Sequence, residues 1–477
     1  MTREVRVIQE LIQELIACAG VEARSDVVTV GKGKLLLGTP LRATELAAAA
    51  LGAQAALICE VWRIRTGRQQ KATLDMEGAA LALQSVLYQR QWKYGIALTE
   101  PSYPTIGMYP TKDKRSVMIN GGYPDLRDRL LDLLQCPDNR DAIKKAIANQ
   151  SAPDLEDKAA EKETCAVTVR RRDEWLSHPQ GKVLRQTPLV EIEKIADGPR
   201  VGFPELSKLD PPTGIRPLSG IRVLDLTHVI AGPACAKCLA EQGATVLHIY
   251  GPKRPQLPPF DIDGGHGKLS AFLDLKEDAE AKETLWELVK TADVFSESYR
   301  PGAISDLGFR PAELARAKPG IIVVSTSCYG FTGPWAHRRG FEHLAQAATG
   351  IATALGSDEA PKITEDFYPN DYITGFLAAF GTLAALIRRA REGGSYHVRV
   401  SLCRTAMKLL DLGLDPEAPA KTNVPAPTLA RYMLERDSAL GRLHYLGPVL
   451  RYSETPSDWD LPPAPLGAHP PRWPDWV

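Results

Sequence analysis

Apolar and polar positions alternate along the 477-residue chain in a way that divides it into two long segments of globular type. Apolar runs of strand type, each followed by a turn and a helical stretch, dominate the second segment. GIRVLDLTHVIAGPACAKCLAEQGATVLHIYGP, which begins at Gly220, reads as strand, Gly-Pro turn, helix, Gly and strand, a βαβ unit. IIVVSTSCYG at 321–330 gives another buried strand of parallel type, and the helical ETLWELVKTA precedes the short strand DVFSES. The pattern predicts an α/β fold: a parallel-sheet, Rossmann-like large domain beside a smaller α+β domain. Proline punctuation at LDPPTGIRP, 209–217, predicts a linker between an N-terminal lobe over 1–208 and a second lobe over 218–410. The tail 411–477 is dense in Pro and Trp, which predicts a chain without helices strapped over the other lobe.

Two stretches echo one another. GAQAALICEVWRIRTGRQQKATLD from Gly52 and LAAFGTLAALIRRAREGGSYHVRVS from Leu377 each read as an Ala-rich helix, an Arg cluster, a Gly turn and a strand. Aligning Gly67 with Gly393 places Glu45 opposite Asp371. Chance similarity of Ala-rich helices is the competing explanation.

Composition narrows the functional classes. Lys plus Arg equals Asp plus Glu at 58 each, so no global field favours nucleic acid or an anionic membrane. The start, MTREVRVIQELIQELIACAG, reads as an amphipathic helix, and no run approaches the roughly 18 uninterrupted apolar residues of a membrane span. Eight scattered cysteines read as reduced thiols, and the expectation is a soluble cytoplasmic protein. Cys235 and Cys238 form a CxxC within a helical stretch without a second CxxC or His pair, which reads as packing.

Four places carry candidate chemistry. Asp371 stands just after Pro369 at the start of an apolar helix. Asn370 or Asp371 as a helix cap is the bland reading, and a carboxylate held ionised at a helix N-terminus for nucleophilic attack is the functional one. His228, with Val229 beside it, follows the first strand at the edge where parallel sheets bind ligands. Tyr299 and Arg300 adjoin the Pro301-Gly302 turn, a pairing suited to adenine stacking and a phosphate contact. Lys268 precedes an apolar run ending at Asp274 and could serve either an anion or a surface.

Read in order, LSGIRVLDLTHVIAGPACAKCLAEQGATVLHI, GKLSAFLDLK, ADVFSESYRPGAISDLGF, VVSTSCYGFTGPWA and NDYITGFLAAFGTLAALIRRAREGG resemble the class III CoA-transferases. The resemblance implies that Asp371 attacks an acyl-CoA thioester. It also implies that His228, Val229, Lys268, Ser298 (where the usual residue is Asn), Tyr299, Arg300 and Tyr329 contact CoA. Coenzyme A is then a substrate rather than a tightly bound cofactor, the partners are an acyl-CoA and a carboxylic acid, and the assembly is a homodimer without nucleic acid or membrane. RTGRQQKATLDMEGAALAL, YPTKDKRSVMING and RRRDEWLSHPQGKVLRQTPLVEI resemble the family's second half yet lie within 63–193, ahead of the first-half motifs. The fold expected is thus the family's in rearranged order, with Glu45 a relic of a second nucleophile position. No GGGG-type flap occurs, Gly121-Gly122 being its nearest substitute. Two other functions compete. α-Methylacyl-CoA racemases share the fold but need a His where GFEHLAQAATG carries Phe341. A non-catalytic acyl-CoA sensor is the second.

Overall fold

The computed structural model describes residues 3–33, 36–91, 103–211, 214–364 and 367–475. Residues 212–213 of the proline-rich stretch and the last two residues of the tail lie outside them.

A seven-stranded sheet forms the centre of the molecule. Its order is Lys268–Phe272, Thr245–Tyr250, Arg222–Leu226, Val294–Glu297, Ile322–Ser327, Ser395–Ser401 and Glu191–Ala196. The first six run parallel, and the last closes one edge antiparallel. Val223, Val294, Val324 and Val398 are fully buried, the continuous apolar face that a sheet covered on both sides requires. The edge strand revises the expected boundary. Glu191–Ala196 precedes the proline-rich stretch yet belongs to the sheet of the second lobe, so the prolines do not separate two self-contained units.

The smaller α+β unit carries an antiparallel sheet, Ile106–Pro110, Ser116–Asn120 and Ala166–Thr168, with helices Pro124–Leu134, Arg140–Ile147 and Ala152–Glu161 over a core that includes Val117, Leu130, Ile143 and Leu155. It docks on the large lobe through charge and a polar tether. Arg338 reaches Asp157 at 2.7 Å. Gln180 Nε2 donates to the carbonyls of Tyr329 at 2.7 Å and Thr332 at 2.9 Å, while its Oε1 accepts from Trp335 N–H.

Helices Ala43–Thr66 and Pro369–Glu392 each have 24 residues, pack on one another, and are followed by Gly67 and Gly393 at φ of +72° and +73°. Glu45 and Asp371 are each the third residue of their helix. Each helix connects two parallel strands, Val28–Gly31 to Ala72–Asp75 and Ile322–Ser327 to Ser395–Ser401. Each second strand then receives an antiparallel neighbour from the other end of the chain, Arg451–Tyr452 on the first and Glu191–Ala196 on the second. Both helices are long and, on average, apolar enough to cross a membrane, although polar residues such as Gln54 and Thr382 interrupt their apolar runs. Here their apolar residues are buried in the core.

The tail also departs from expectation. Ala426–Ala430 is a short helix, possible because Pro427 occupies its first turn, where no intrahelical N–H is needed. Met433–Ser438 and Gly441–Leu446 form a hairpin that pairs with Arg90–Gln91. Beyond it, Trp459 is buried and donates from Nε1 to the Lys237 carbonyl at 3.1 Å.

Candidate active site

The C-terminal ends of the parallel strands open into a cavity of about 590 Å³, roofed by the small unit through Tyr123, Asp125, Leu126 and Arg129. That volume lies within the range of small-ligand sites, at the sheet edge where such sites form. Asp371 lines it, together with His228, Val229, Ser298, Tyr299 and Arg300. Lys268 and Tyr329 do not.

The long helix brings Asp371 to the cavity from behind the sheet. Gly375, one turn further along, lets the helix approach the start of helix Ala231–Glu241 closely, since a Cβ there would stand 2.5 Å from the Ala231 carbonyl. The capping role anticipated for Asn370 or Asp371 falls elsewhere. Tyr368 is the N-cap residue and supplies no side-chain cap bond. Glu342, from the helix Glu342–Thr349, accepts the Asp371 backbone N–H at 2.7 Å and Asn370 Nδ2 at 2.7 Å, with Gln346 Nε2 as a further donor at 2.7 Å. A carboxylate from another helix thus answers an orphan N–H at this helix start. Burial pushes the Glu342 carboxyl up to about 7 against the pull of those donors.

The turn after Arg222–Leu226 holds the next group. Val229 sits at φ +67°, a conformation that a β-branched residue adopts only under constraint. Gly232 completes the constraint, because a Cβ there would lie 2.4 Å from Thr227 Cβ and 2.9 Å from Ser298 Cβ. Ser298 Oγ accepts the His228 backbone N–H at 3.0 Å, and the His228 ring lies 4.7 Å from that of Tyr299. Burial, with Arg254 and His248 nearby, holds the His228 imidazole well below its usual range, so it is neutral at pH 7.

Lys268 lies outside the cavity lining and is ion-paired. Its Nζ donates to Asp225 Oδ2 at 2.7 Å and to the Pro233 carbonyl at 3.0 Å, with both side chains buried. Burial alone would raise the Asp225 carboxyl, but Lys268, His248 and Thr227 hold it below its usual value. Tyr329 is buried outside the cavity lining, with its ring 5.1 Å from that of Trp335. Arg300 reaches across to Glu163 at 4.0 Å. The Gly121-Gly122 pair is a packed turn rather than a flap, since a Cβ on Gly121 would stand 2.9 Å from Thr105 Cβ. Burial pushes the Cys235 thiol up to about 12 and raises Cys238 as well, leaving both inert inside their helix.

The cavity contains residues that sequence reasoning missed. Tyr123 comes from the small unit, and its ring stacks on Phe341 with centroids 6.0 Å apart. Arg254 lies over both Tyr123 and Tyr299. Glu342 lies outside the cavity lining; in the sequence it stands at the Asp position of the racemase motif, beside Phe341.

Sequence comparison now adds an independent finding. Residues 218–431 match the model of CoA-transferase family III. The matched segment contains Asp371 and every cavity residue of the large lobe. Among similar proteins are an acetyl-coenzyme A transferase of Hypoxylon pulicicidum, 33% identical over 62% of this chain and 52% of its own length. An acyl-CoA transferase of Gibberella moniliformis is 29% identical over 69% of this chain and 64% of its own. A formyl-CoA:oxalate CoA-transferase of Escherichia coli is 34% identical over 40% of this chain and 49% of its own. The chain therefore spans about half to two thirds of the length of these curated relatives.

Proposed function

We propose that the protein transfers coenzyme A from an acyl-CoA thioester to a carboxylic acid, with Asp371 as the nucleophile. The carrying observation is that Asp371, the third residue of its helix, lines a ligand-sized cavity at the C-terminal ends of the parallel strands. The match of residues 218–431 to CoA-transferase family III supports the same reading.

In the proposed sequence an Asp371 oxygen attacks the thioester carbonyl and expels CoA thiolate, forming a mixed anhydride. The thiolate then attacks the aspartyl carbonyl, releasing the donor acid and leaving an Asp371–CoA thioester. The acceptor carboxylate attacks that thioester, giving a second anhydride, and the thiolate finally takes the acceptor's acyl group and restores Asp371. No proton needs to move, which suits a cavity whose lining imidazole, His228, is neutral. Thioester energy is conserved because each bond broken is replaced by another activated acyl bond. The walls formed by Tyr123 and Phe341 reduce access of water to the anhydrides.

The rearranged order is a second part of the proposal. Matching helices with Glu45 and Asp371 at the same position, and the exchange of edge strands, support a chain in which second-half elements precede the first half. Both walls of the cavity come from one chain, so a homodimer would be an assembly of two self-contained sites. The eight unpaired cysteines suit a cytoplasmic setting. Purified protein assayed with a panel of acyl-CoA donors and carboxylate acceptors should form new acyl-CoA, and Asp371→Ala should abolish it. Undiminished transfer by that variant would overturn the role of Asp371.

A further inference from the structure

We infer that Tyr372 and Asp263 are positioning residues for the nucleophile, and that segment 83–89 of the N-terminal lobe completes their hold on it. The inference rests on the CoA-transfer reading above. Tyr372 follows Asp371 in the first turn of helix Pro369–Glu392, where the N–H groups lack intrahelical partners and the backbone is fixed mainly from outside. Glu342 supplies one outside hold through the Asp371 N–H. A second runs through the Tyr372 hydroxyl, which accepts the Val86 N–H at 3.0 Å and donates to Asp263 Oδ2 at 2.9 Å. Because the amide can only donate, the phenol proton is directed at the carboxylate.

Asp263, on the short helix Pro258–Gly264, is itself fixed. Its Oδ1 accepts from Ser85 Oγ at 2.6 Å, Lys237 Nζ at 2.8 Å and Gln89 Nε2 at 3.0 Å, and Lys237 also donates to Ser85 Oγ at 3.1 Å. All of these side chains and that of Tyr372 are buried, where charge-assisted bonds are strong and stiff. Segment 83–89 also reaches the N-cap of the nucleophile helix, since the Tyr368 N–H donates to the Leu83 carbonyl at 3.3 Å. It thus grips the helix start at the cap and one turn on. This segment precedes the family-matched residues 218–431, so the nucleophile of that part is seated by a part outside it.

Position separates this role from substrate binding. Neither Tyr372 nor Asp263 lines the cavity, so the pair acts on the reaction through the backbone of Asp371. A nucleophile misplaced by about 1 Å loses on the order of 100-fold in rate.

The test is Tyr372→Phe, which keeps the ring and removes both hydroxyl bonds, with Ser85→Ala and the double variant beside it. Tyr372→Phe should lower kcat and the single-turnover rate of Asp371 acylation by about 10- to 100-fold, with the KM for acyl-CoA unchanged. Ser85→Ala should lower both rates by about 3- to 10-fold. The double variant should be no slower than Tyr372→Phe, because Ser85 acts on the helix through Asp263 and Tyr372. Should Tyr372→Phe fail to fold, Ser85→Ala decides alone. Three results would overturn the assignment. One is wild-type kcat with a lowered melting temperature, the signature of a purely structural network. Another is a raised KM with unaltered kcat, which would mark a binding role. The third is losses that multiply in the double variant. Wild type that transfers CoA without acylating Asp371 would refute the transfer mechanism, a result distinct from the behaviour of any variant.

Discussion

Replacing Glu342 by Gln probes how the nucleophile is held. The change keeps the shape of the side chain but removes its charge and turns one acceptor into an NH2. The partners of Glu342 are donors, among them Asp371 N–H, Asn370 Nδ2 and Gln346 Nε2, each at 2.7 Å. One donor must then face another donor, and a charge-assisted bond worth about 1.5–3 kcal/mol is lost. Expressed at the nucleophile, that loss is a fall in kcat of about 10- to 100-fold. Protonation of the wild-type carboxyl has the same effect, so the wild-type rate should decline as the pH falls through about 7, and Glu342→Gln at pH 8 should resemble wild type at lower pH. Stability runs the other way. A carboxyl raised from 4.5 to about 7 on folding binds a proton in the native state over an interval where the unfolded chain does not. Its contribution is fully present below 4.5 and is lost as the pH rises through 7, a change of about 3 kcal/mol. Initial rates between pH 5.5 and 9, with melting temperatures at each pH, separate the two effects. A Glu342→Gln enzyme with wild-type kcat and an unchanged acid limb would refute the positioning argument.

Other variants test neighbouring claims. Glu45→Gln should leave kcat unaltered while lowering the melting temperature, because it breaks the buried 3.0 Å pair with Arg42 in a space of only about 10 Å³; loss of turnover with folding intact would show that Glu45 is not a relic. Lys268→Met should destabilise the fold by about 3–5 kcal/mol by stranding Asp225, measured in urea, with the KM for acyl-CoA unchanged at temperatures where the variant is folded. Val229→Gly should relieve about 1 kcal/mol or more of backbone strain and raise the melting temperature, yet weaken acyl-CoA binding by loosening the turn that carries His228. Unchanged stability would mean that the positive φ at Val229 is not strained.

Much of the sheet was legible because its strands are buried on both faces. Arg222–Leu226, Thr245–Tyr250 and Ile322–Ser327 read as near-continuous apolar runs between turn residues. The echo of two Ala-rich helices was visible from Gly67 and Gly393, and in the structure both helices are of equal length with an acidic third residue. Partners in space were not legible. Glu342 acts on a residue 29 positions away, and Lys268 looked available until its ion pair with Asp225, 43 positions earlier, came into view. Tyr123 and Arg254 meet from different lobes, a proximity that no local pattern encodes. The edge strand Glu191–Ala196 was hidden for a related reason, since its half-exposed residues carry little apolar signal and its partner lies beyond the prolines.

Everything chemical in this account rests on Asp371 becoming covalently acylated. Incubating the protein with an acyl-CoA and hydroxylamine, followed by peptide mass spectrometry, tests that claim directly. The account predicts conversion of Asp371 to its hydroxamate, dependent on the acyl-CoA, and no such product at Glu45. An unmodified Asp371 in protein that binds acyl-CoA and transfers CoA would contradict it.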